Sequence, residues 1–215
     1  MKQLLFISLV ALFVTNTSCG QANNRTNTKG QHVGGGCEGC EAIHESPVPF
    51  NKLSWIDTLP DFNEPGPKMV ISGIVYKADG KTPARDVVLY IYHTDQKGNY
   101  SLKGNETGWG KRHGYIRGWM KTNEKGEYKF YTLRPASYPN SDAPQHIHPT
   151  IKEPDINEYW IDEYVFDDDP NLKPSERNKL PNRGGGGIIK LKNVNGTLVG
   201  ERNIILGKNV PDYPR

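Results

Sequence analysis

Two histidines one residue apart and a tyrosine between prolines stand together in residues 134–151, RPASYPNSDAPQHIHPTI. The prolines disfavour a helix here. On a strand, residues two apart project from the same face, so His146 and His148 are expected to point one way and Ile147 the other. Two imidazoles on one face are a natural start for a metal site. By itself, however, a His-x-His pair is a weak indication of metal binding.

Tyr138 narrows the choice of metal. Its phenol ionises only near pH ~10, which makes tyrosine a poor ligand for most divalent ions. A highly charged hard cation such as Fe³⁺ stabilises the phenolate at neutral pH, just as bound metals lower the pKa of water. The alternative to a metal ligand is a structural aromatic residue in a proline turn. Considered without the other residues, Tyr138 favours this structural role.

The segments that must position these side chains are patterned as strands. Residues 69–95 predict a strand, a turn at 78–81 and a second strand, and residues 117–133 repeat the scheme with a turn at 123–126. QHIHPTI and EYWIDEYVF are shorter strand candidates, and the chain end predicts a hairpin that turns at Asn195-Gly196. No convincing amphipathic helix intervenes. The pattern predicts an all-β fold, a single β-sandwich domain.

Composition agrees with a turn-rich fold and limits the partners. The chain has 215 residues with 23 Gly and 16 Pro, and its formal net charge is only +3. Its basic residues are interspersed with acids, which argues against nucleic acid as a partner. Residues 169–187 form a long Pro- and Gly-rich loop, expected at a rim or lid.

The N-terminus has the pattern of an export signal. Residues 1–19 place a lysine before an apolar run that is too short to span a bilayer, followed by small residues and Cys19. This cysteine resembles a bacterial lipoprotein processing site, so we expect lipidation of Cys19 and a cell-envelope lipoprotein. Asn16 stands where such sites usually carry an aliphatic residue, which leaves a periplasmic or secreted protein as the alternative. The only membrane contact expected is the lipid anchor.

A flexible tether is expected next, over residues 20–45, because the segment is polar, glycine-rich and without periodicity. It ends in a C-x-x-C motif, Cys37 and Cys40. In an exported protein this pair predicts a local disulfide, since no second pair completes a zinc site. A thioredoxin-like role lacks the flanking strand and helix. Residues 46–215 then form the folded domain.

The folded part resembles the intradiol ring-cleavage dioxygenases, the family of protocatechuate and catechol dioxygenases. The segment ISGIVYKADGKTPARDVVLYIYHTDQKGNY is similar to the family's strand-turn-strand unit that ends in Gly-x-Tyr. RGWMKTNEKGEYKFYTLRPASYP resembles the unit that leads to the second tyrosine, PQHIH the histidine pair, and DEYVFDDDP the acidic strand end. The resemblance runs in order from about residue 68 to 170.

The resemblance implies one Fe³⁺ per chain, held by Tyr100, Tyr138, His146 and His148. It implies that Tyr100 and Tyr138 also take part in catalysis, with Tyr138 leaving the metal when a catechol binds and Tyr100 staying. The implied partners are a small aromatic diol and O₂, and the product is a cis,cis-muconate-type diacid. No oligomeric state follows from the sequence.

One position departs from the family pattern. The family commonly has an arginine three residues before the first histidine, where this chain has Ala143. This makes iron binding a firmer expectation than efficient turnover. Arg134 is the expected substitute in substrate binding, with Trp109 and Tyr164 as expected walls of a ring-shaped pocket.

Two other classes of protein fit parts of the pattern. A cupin also binds metal through His-x-His in a β-barrel, but it needs a glutamate three or four residues later, whereas Glu153 is five beyond His148. A small β-sandwich binding module fits the Gly73, Gly80 and Pro83 segment, yet it does not need the tyrosines and histidines together. A weak or inactive dioxygenase that serves as a surface binding module stays open as the alternative function.

Overall fold

Two sheets packed face to face form the protein in the computed structural model, which describes residues 32–214. The expected signal peptide, Cys19 and residues 20–31 of the expected tether lie outside the described residues. The first sheet has the order β1-β5-β2-β11-β10, and β12 also pairs with β2. Its strands are β1 (Ile56–Thr58), β2 (Lys68–Tyr76), β5 (Glu127–Leu133), β10 (Lys192–Val194), β11 (Thr197–Glu201) and β12 (Ile204–Ile205).

The second sheet has the order β4-β3-β6-β8-β9, and β7 also pairs with β6. Both sheets mix parallel and antiparallel pairs. The predicted all-β sandwich is therefore confirmed. The strands of this sheet are β3 (Val88–Tyr92), β4 (Arg117–Lys121), β6 (His146–Lys152), β7 (Tyr159–Trp160), β8 (Tyr164–Phe166) and β9 (Ile188–Ile189).

Helices are short throughout the described residues. The α-helices α1 (Gly110–His113) and α2 (Pro174–Arg177) have four residues each, and 3₁₀-helices span Cys40–Glu45 and Phe50–Lys52. Across residues 32–214 no helix combines the length and the apolar character that crossing a bilayer requires.

The two strand-turn-strand units connect the sheets and are not hairpins. Strand β2 pairs with β5, while β3 pairs with β4 and β6, so each unit crosses from one sheet to the other. The chain end does form the predicted hairpin, since β10 and β11 are antiparallel. Its turn residues Asn195 and Gly196 both have positive φ, 52° and 85°, which Asn and Gly adopt at low cost.

Strict alternation in the strands builds the core between the sheets. In β2 every second residue is buried, and in β6 Ile147 and Ile151 face the same core. The opposite face of β6 carries His146 and His148, as the period of two predicts.

The outer face of the second sheet has its own apolar cluster, covered by the N-terminal segment. Ala42 and Ile43, fully buried in the first 3₁₀-helix, pack on Val88, Tyr90 and Trp119. Burying a side chain such as Ile43 contributes about 1.5–3 kcal/mol.

Residues 32–45, expected as part of a flexible tether, therefore pack on the sandwich. Val33 is also buried, Arg183 donates to the Gly34 carbonyl at 3.0 Å, and Trp160 donates to the Gly36 carbonyl at 3.1 Å. The structure joins Cys37 and Cys40 by a disulfide. The tether prediction was wrong for residues 32–45 because it rested on the overall polar, glycine-rich composition. The segment also contains a few apolar residues, and the sandwich buries them.

Candidate metal centre

Strand β6 places the two histidines side by side. Their ring centroids are 4.6 Å apart, and the rings are nearly perpendicular. Pairing holds the strand on both sides, because His148 is opposite Tyr92 of β3 and His146 is opposite Val165 of β8. The imidazoles thus stand on a rigid element at one end of the second sheet.

The loop after β3 brings Tyr100 to the histidines. The Asp95 carboxylate accepts hydrogen bonds from the backbone N–H groups of Lys97 and Asn99, at 2.8 and 3.0 Å, and folds residues 95–99 into a tight turn. Gly98 has a φ of 78°, and a side chain there would collide with the carbonyl of Ser137. Only glycine allows this close approach of the two loops.

The same contact positions Tyr138. Thr94 donates to the Ala136 carbonyl at 2.6 Å, and Ala136 N–H donates to the Asp95 carbonyl at 3.2 Å. The two loops are thereby held together immediately before their tyrosines, so that Tyr100 and Tyr138 meet over the histidines.

Four donor atoms converge as a result, in what we call the Tyr/His cluster. Its members are Tyr100, Tyr138, His146 and His148. Tyr138 Oη is 2.5 Å from Tyr100 Oη and 3.0 Å from His146 Nε2, and His148 Nε2 is 2.8 Å from Tyr100 Oη and 3.3 Å from Tyr138 Oη. Two ligands each ~2 Å from a metal and at right angles are about 2.8 Å apart. The donors therefore have the spacing of a coordination shell.

The second ring nitrogen of each histidine is engaged away from the cluster. His146 Nδ1 donates to the Pro144 carbonyl at 2.6 Å, and His148 Nδ1 is 3.0 Å from a Glu163 carboxylate oxygen. Donation from Nδ1 leaves the Nε2 lone pair of each ring directed at the cluster. Such partners are typical of metal-binding histidines, whose tautomer they hold.

The titration behaviour also fits a hard cation. Burial raises the pKa of Tyr100, and its hydrogen bond with Tyr138 raises it further. Burial likewise raises the pKa of Tyr138, and it lowers the pKa of His146. The site thus offers two phenols that ionise only beside a strong positive charge, together with the ring nitrogens of both histidines. Ferric iron matches this donor set.

Glu163 is a member of the site that the sequence did not single out. One oxygen of its carboxylate and one nitrogen of each histidine lie within 4.8 Å of one another. Burial pushes the pKa of Glu163 up, but the hydrogen bond from His148 and the electrostatic interactions with His148 and His146 together outweigh it, and the pKa lies below its usual value. No sequence signal pointed to Glu163, since it is 15 residues beyond His148 and precedes a buried strand.

A cavity of about 350 Å³ opens beside the cluster and is lined by Tyr138 and both histidines. Its other walls are mostly apolar and include Ala143 at the position of the missing arginine. The loop of residues 169–187 forms part of the rim, as predicted. The remaining lining residues are Pro144, Glu163, Val165, Leu172, Glu176, Lys179 and Leu180.

A second cavity of about 210 Å³ meets the site from the other side of His148. Residues 36–39 of the N-terminal segment form one wall, and Trp160 and Ile161 form another. His148 and Glu163 line both cavities. Tyr92 closes the inner end, with its ring stacked between His148 at 4.6 Å and His113 at 3.8 Å.

The three residues expected to contact substrate lie elsewhere. Tyr164 is fully buried in the core, and its hydroxyl donates to Tyr128 at 3.1 Å, because β8 turns this residue inward. Arg134 forms a bidentate ion pair with Asp168 at 2.8 Å. Trp109 packs against His113. None of the three lines either cavity.

Comparison with known proteins now assigns the family. A family model described as Dioxygenase matches residues 50–177, which is more than half of the chain. The chain belongs to the intradiol dioxygenase family. No curated protein matches this sequence.

Several solved structures share the fold of this chain. The dioxygenase domain of a dioxygenase carbohydrate-binding protein fusion from Streptomyces sp. SirexAA-E has 20% identity and a TM-score of 0.54, covering 75% of this chain and 94% of that one. Catechol 1,2-dioxygenase from Acinetobacter sp. ADP1 has 19% identity and a TM-score of 0.53, covering 71% and 56%. 3-Chlorocatechol 1,2-dioxygenase from Rhodococcus opacus 1CP has 18% identity and a TM-score of 0.52, and the match covers 69% of this chain and 62% of that one. The chain thus spans under two thirds of the last two.

Proposed function

We propose that this protein is an Fe³⁺-dependent intradiol dioxygenase, with one iron per chain. Its substrate is a catechol-type aromatic, whose ring it opens between the two hydroxylated carbons with O₂ to give a cis,cis-muconate-type diacid. The observation that carries the proposal is the convergence of two phenols and two imidazoles at the wall of a cavity. Both atoms of O₂ enter the product, so no further reductant is needed.

When bound, Fe³⁺ supplies a Lewis acid and a template for the two catechol oxygens, while the ring supplies the electrons. Tyr138 lines the cavity and Tyr100 does not. Tyr138 is therefore the residue that meets the substrate, and its Oη takes a proton from a catechol hydroxyl. Tyr100 keeps its place beside His148.

The other residues hold and shield the reaction. Pro144 and Glu163 fix the tautomers of the two histidines, so that both present Nε2. Val165, Leu172 and Leu180 give the cavity apolar walls, which exclude water from the ring and strengthen the electrostatic interactions inside.

A binding role with little turnover is the second candidate, and Ala143 favours it. Ala143 lines the cavity where the family commonly places an arginine. Within the described residues, Lys179 is the only Lys or Arg that lines either cavity, and it is paired with Glu176 at 2.7 Å. Charge developing on the substrate therefore has no dedicated cationic partner.

Metal analysis, visible spectroscopy and oxygen uptake test the proposal together. We expect one iron per chain, a tyrosinate-to-iron absorption band that catechol shifts, oxygen uptake and a ring-opened product by mass spectrometry. Tyr138→Phe should retain iron but change the band and lower the rate, whereas Tyr131→Phe, on the other sheet, should change neither. A band that shifts with catechol without any product would favour the binding role, and the absence of stoichiometric iron would exclude the dioxygenase and leave a binding module without metal.

We also propose that the protein is exported and lipidated on Cys19. The signal-like N-terminus supports this, and so does the Cys37–Cys40 disulfide, which is typical of oxidising compartments. Labelling cells with a fatty acid analogue should mark the wild-type protein, while Cys19→Ala should be unlabelled. An unlabelled wild-type protein in the soluble exported fraction would favour simple secretion.

A further inference from the structure

Glu163 stands between the two cavities that meet at the Tyr/His cluster. It lines the cavity of about 350 Å³ together with Tyr138, and the cavity of about 210 Å³ together with Trp160. A catechol ring placed against the cluster therefore has this carboxylate beside it, whichever of the two spaces its substituent enters.

The charge of Glu163 is not balanced by a basic side chain. Among residues 32–214 its one ionic partner is His148, an imidazole that is neutral when it binds a metal through Nε2. The other acids that line the two cavities are paired. Glu176 is 2.7 Å from Lys179, and Glu38 is 2.6 Å from Arg112.

The only basic side chain that the described part of either cavity offers an anionic ligand is Lys179, which is already paired with Glu176. Ala143 occupies the wall where a basic side chain would face the ring, and Arg134 is held by Asp168. A carboxylate on the ring would be placed near a like charge, which is unfavourable. An ammonium group would instead form a charge-assisted hydrogen bond with Glu163.

The second cavity has the fixed walls that a specificity site needs. Trp160 donates to the Gly36 carbonyl, and Arg183 donates to the Gly34 carbonyl. The Cys37–Cys40 disulfide ties residues 37–39 to the start of the first 3₁₀-helix. A short alkyl chain entering this space would pass between Glu163 and the side of Ile161.

We propose that the site selects catechols whose ring substituent is cationic, such as an aminoalkyl group, and that Glu163 is the residue that recognises the cation. This inference rests on the proposed function, because it assumes that a catechol binds at the Tyr/His cluster.

Equilibrium binding without oxygen tests the inference apart from turnover. Iron-loaded protein is titrated anaerobically with three catechols of similar size, and the shift of the visible band gives each dissociation constant. The ligands are 4-(2-aminoethyl)catechol, 4-ethylcatechol and 3,4-dihydroxyphenylacetate. We expect the amine to bind at least about tenfold more tightly than 4-ethylcatechol, the usual size of a hydrogen bond to a charged group, and the acid to bind more weakly than both.

Glu163→Gln should bring the three dissociation constants within about threefold of one another, because the amide keeps an acceptor for His148 but has lost the charge. Glu163→Asp keeps the negative charge and should therefore retain the preference for the amine. This variant tests the inference if Glu163→Gln does not bind iron. Glu124→Gln is the matched control, since Glu124 is exposed and paired with Arg85, and it should leave all three constants unchanged.

Two results would overturn the inference while leaving the proposed function standing. One is that the acid binds as tightly as the amine to the wild-type protein, and the other is that Glu163→Gln retains the full preference for the amine. If none of the three catechols shifts the band, the proposed function fails, and this inference fails with it.

Discussion

Two polar groups of this protein, a buried one around His93 and a partly exposed one around His148, use histidine in opposite ways. His93 is fully buried, with Nδ1 2.8 Å from the Thr94 carbonyl and Nε2 2.7 Å from Thr132 Oγ1. Thr132 in turn donates to Asp61 at 2.9 Å. Both ring nitrogens of His93 therefore have partners that are not metal ligands.

The Tyr/His cluster leaves one nitrogen of each ring for something else. His146 and His148 use Nδ1 on a carbonyl and a carboxylate, and their Nε2 atoms meet only phenols at the wall of a cavity. Burial lowers the pKa of both His93 and His146, so titration does not separate the two groups. The partner of Nε2 separates them, because it decides whether a histidine is structural or available to a metal.

The largest expected effect comes from breaking the cluster. His148→Ala should abolish iron binding and the visible band, since three remaining ligands do not hold Fe³⁺ against hydrolysis. The metal-free variant should still fold, because His148 is partly exposed. Iron analysis and thermal unfolding measure the two properties, with His44→Ala, an exposed histidine, as control. Stoichiometric iron in His148→Ala would show that Nε2 of His148 is not needed for metal binding.

Adding the missing charge should have the next largest effect. Ala143→Arg places a guanidinium at the cavity wall, and a single group that stabilises transition-state charge is typically worth ~10²–10³ in rate. We expect kcat to rise by about tenfold or more. The rise should be smaller than the full range, because Glu163 lines the same cavity and would partly neutralise the new guanidinium. Ala78→Arg, in an exposed turn, should leave kcat unchanged, and an equal rise in both variants would show a general charge effect instead.

Breaking the His93 group should affect stability and not the metal. His93→Leu removes the buried hydrogen bonds that the ring makes with Thr132 and with the Thr94 carbonyl, which typically costs about 1–3 kcal/mol in the free energy of unfolding. Urea unfolding should show this loss, while iron per folded chain stays at one. Loss of iron at unchanged stability would mean that His93 belongs functionally to the cluster.

The last prediction concerns pH and a third histidine. Burial lowers the pKa of His113 from its usual 6.5 to about 4. A depressed pKa in the folded state means that the unfolded chain binds the proton more readily, so stability falls as pH drops from about 6.5 to about 4. In metal-free protein, His113→Gln should flatten this part of the stability profile, and His44→Gln should not. An unchanged slope in His113→Gln would assign the pH dependence to other groups.

Local pattern was sufficient wherever the physical cause is local. The period of two in QHIHPTI determined that His146 and His148 share a face and that Ile147 enters the core. The Asn195-Gly196 turn determined the last hairpin, because both residues accept positive φ. The resemblance named the two tyrosines, and Gly98 shows why the spacing matters, since only a residue without a side chain lets the two loops meet.

Tertiary structure decided what depends on surfaces distant in the chain. Tyr164 enters the core and Glu163 reaches His148 because β8 pairs with β6, a register that no periodicity in EYWIDEYVF encodes. Residues 32–45 are ordered on the second sheet because Val88, Tyr90 and Trp119 present an apolar face that Ala42 and Ile43 cover. The sequence by itself determined which residues could bind a metal. Which of their neighbours face the same cavity depended on how two sheets and an N-terminal segment pack, since burial is a property of the assembled surfaces and not of any one segment.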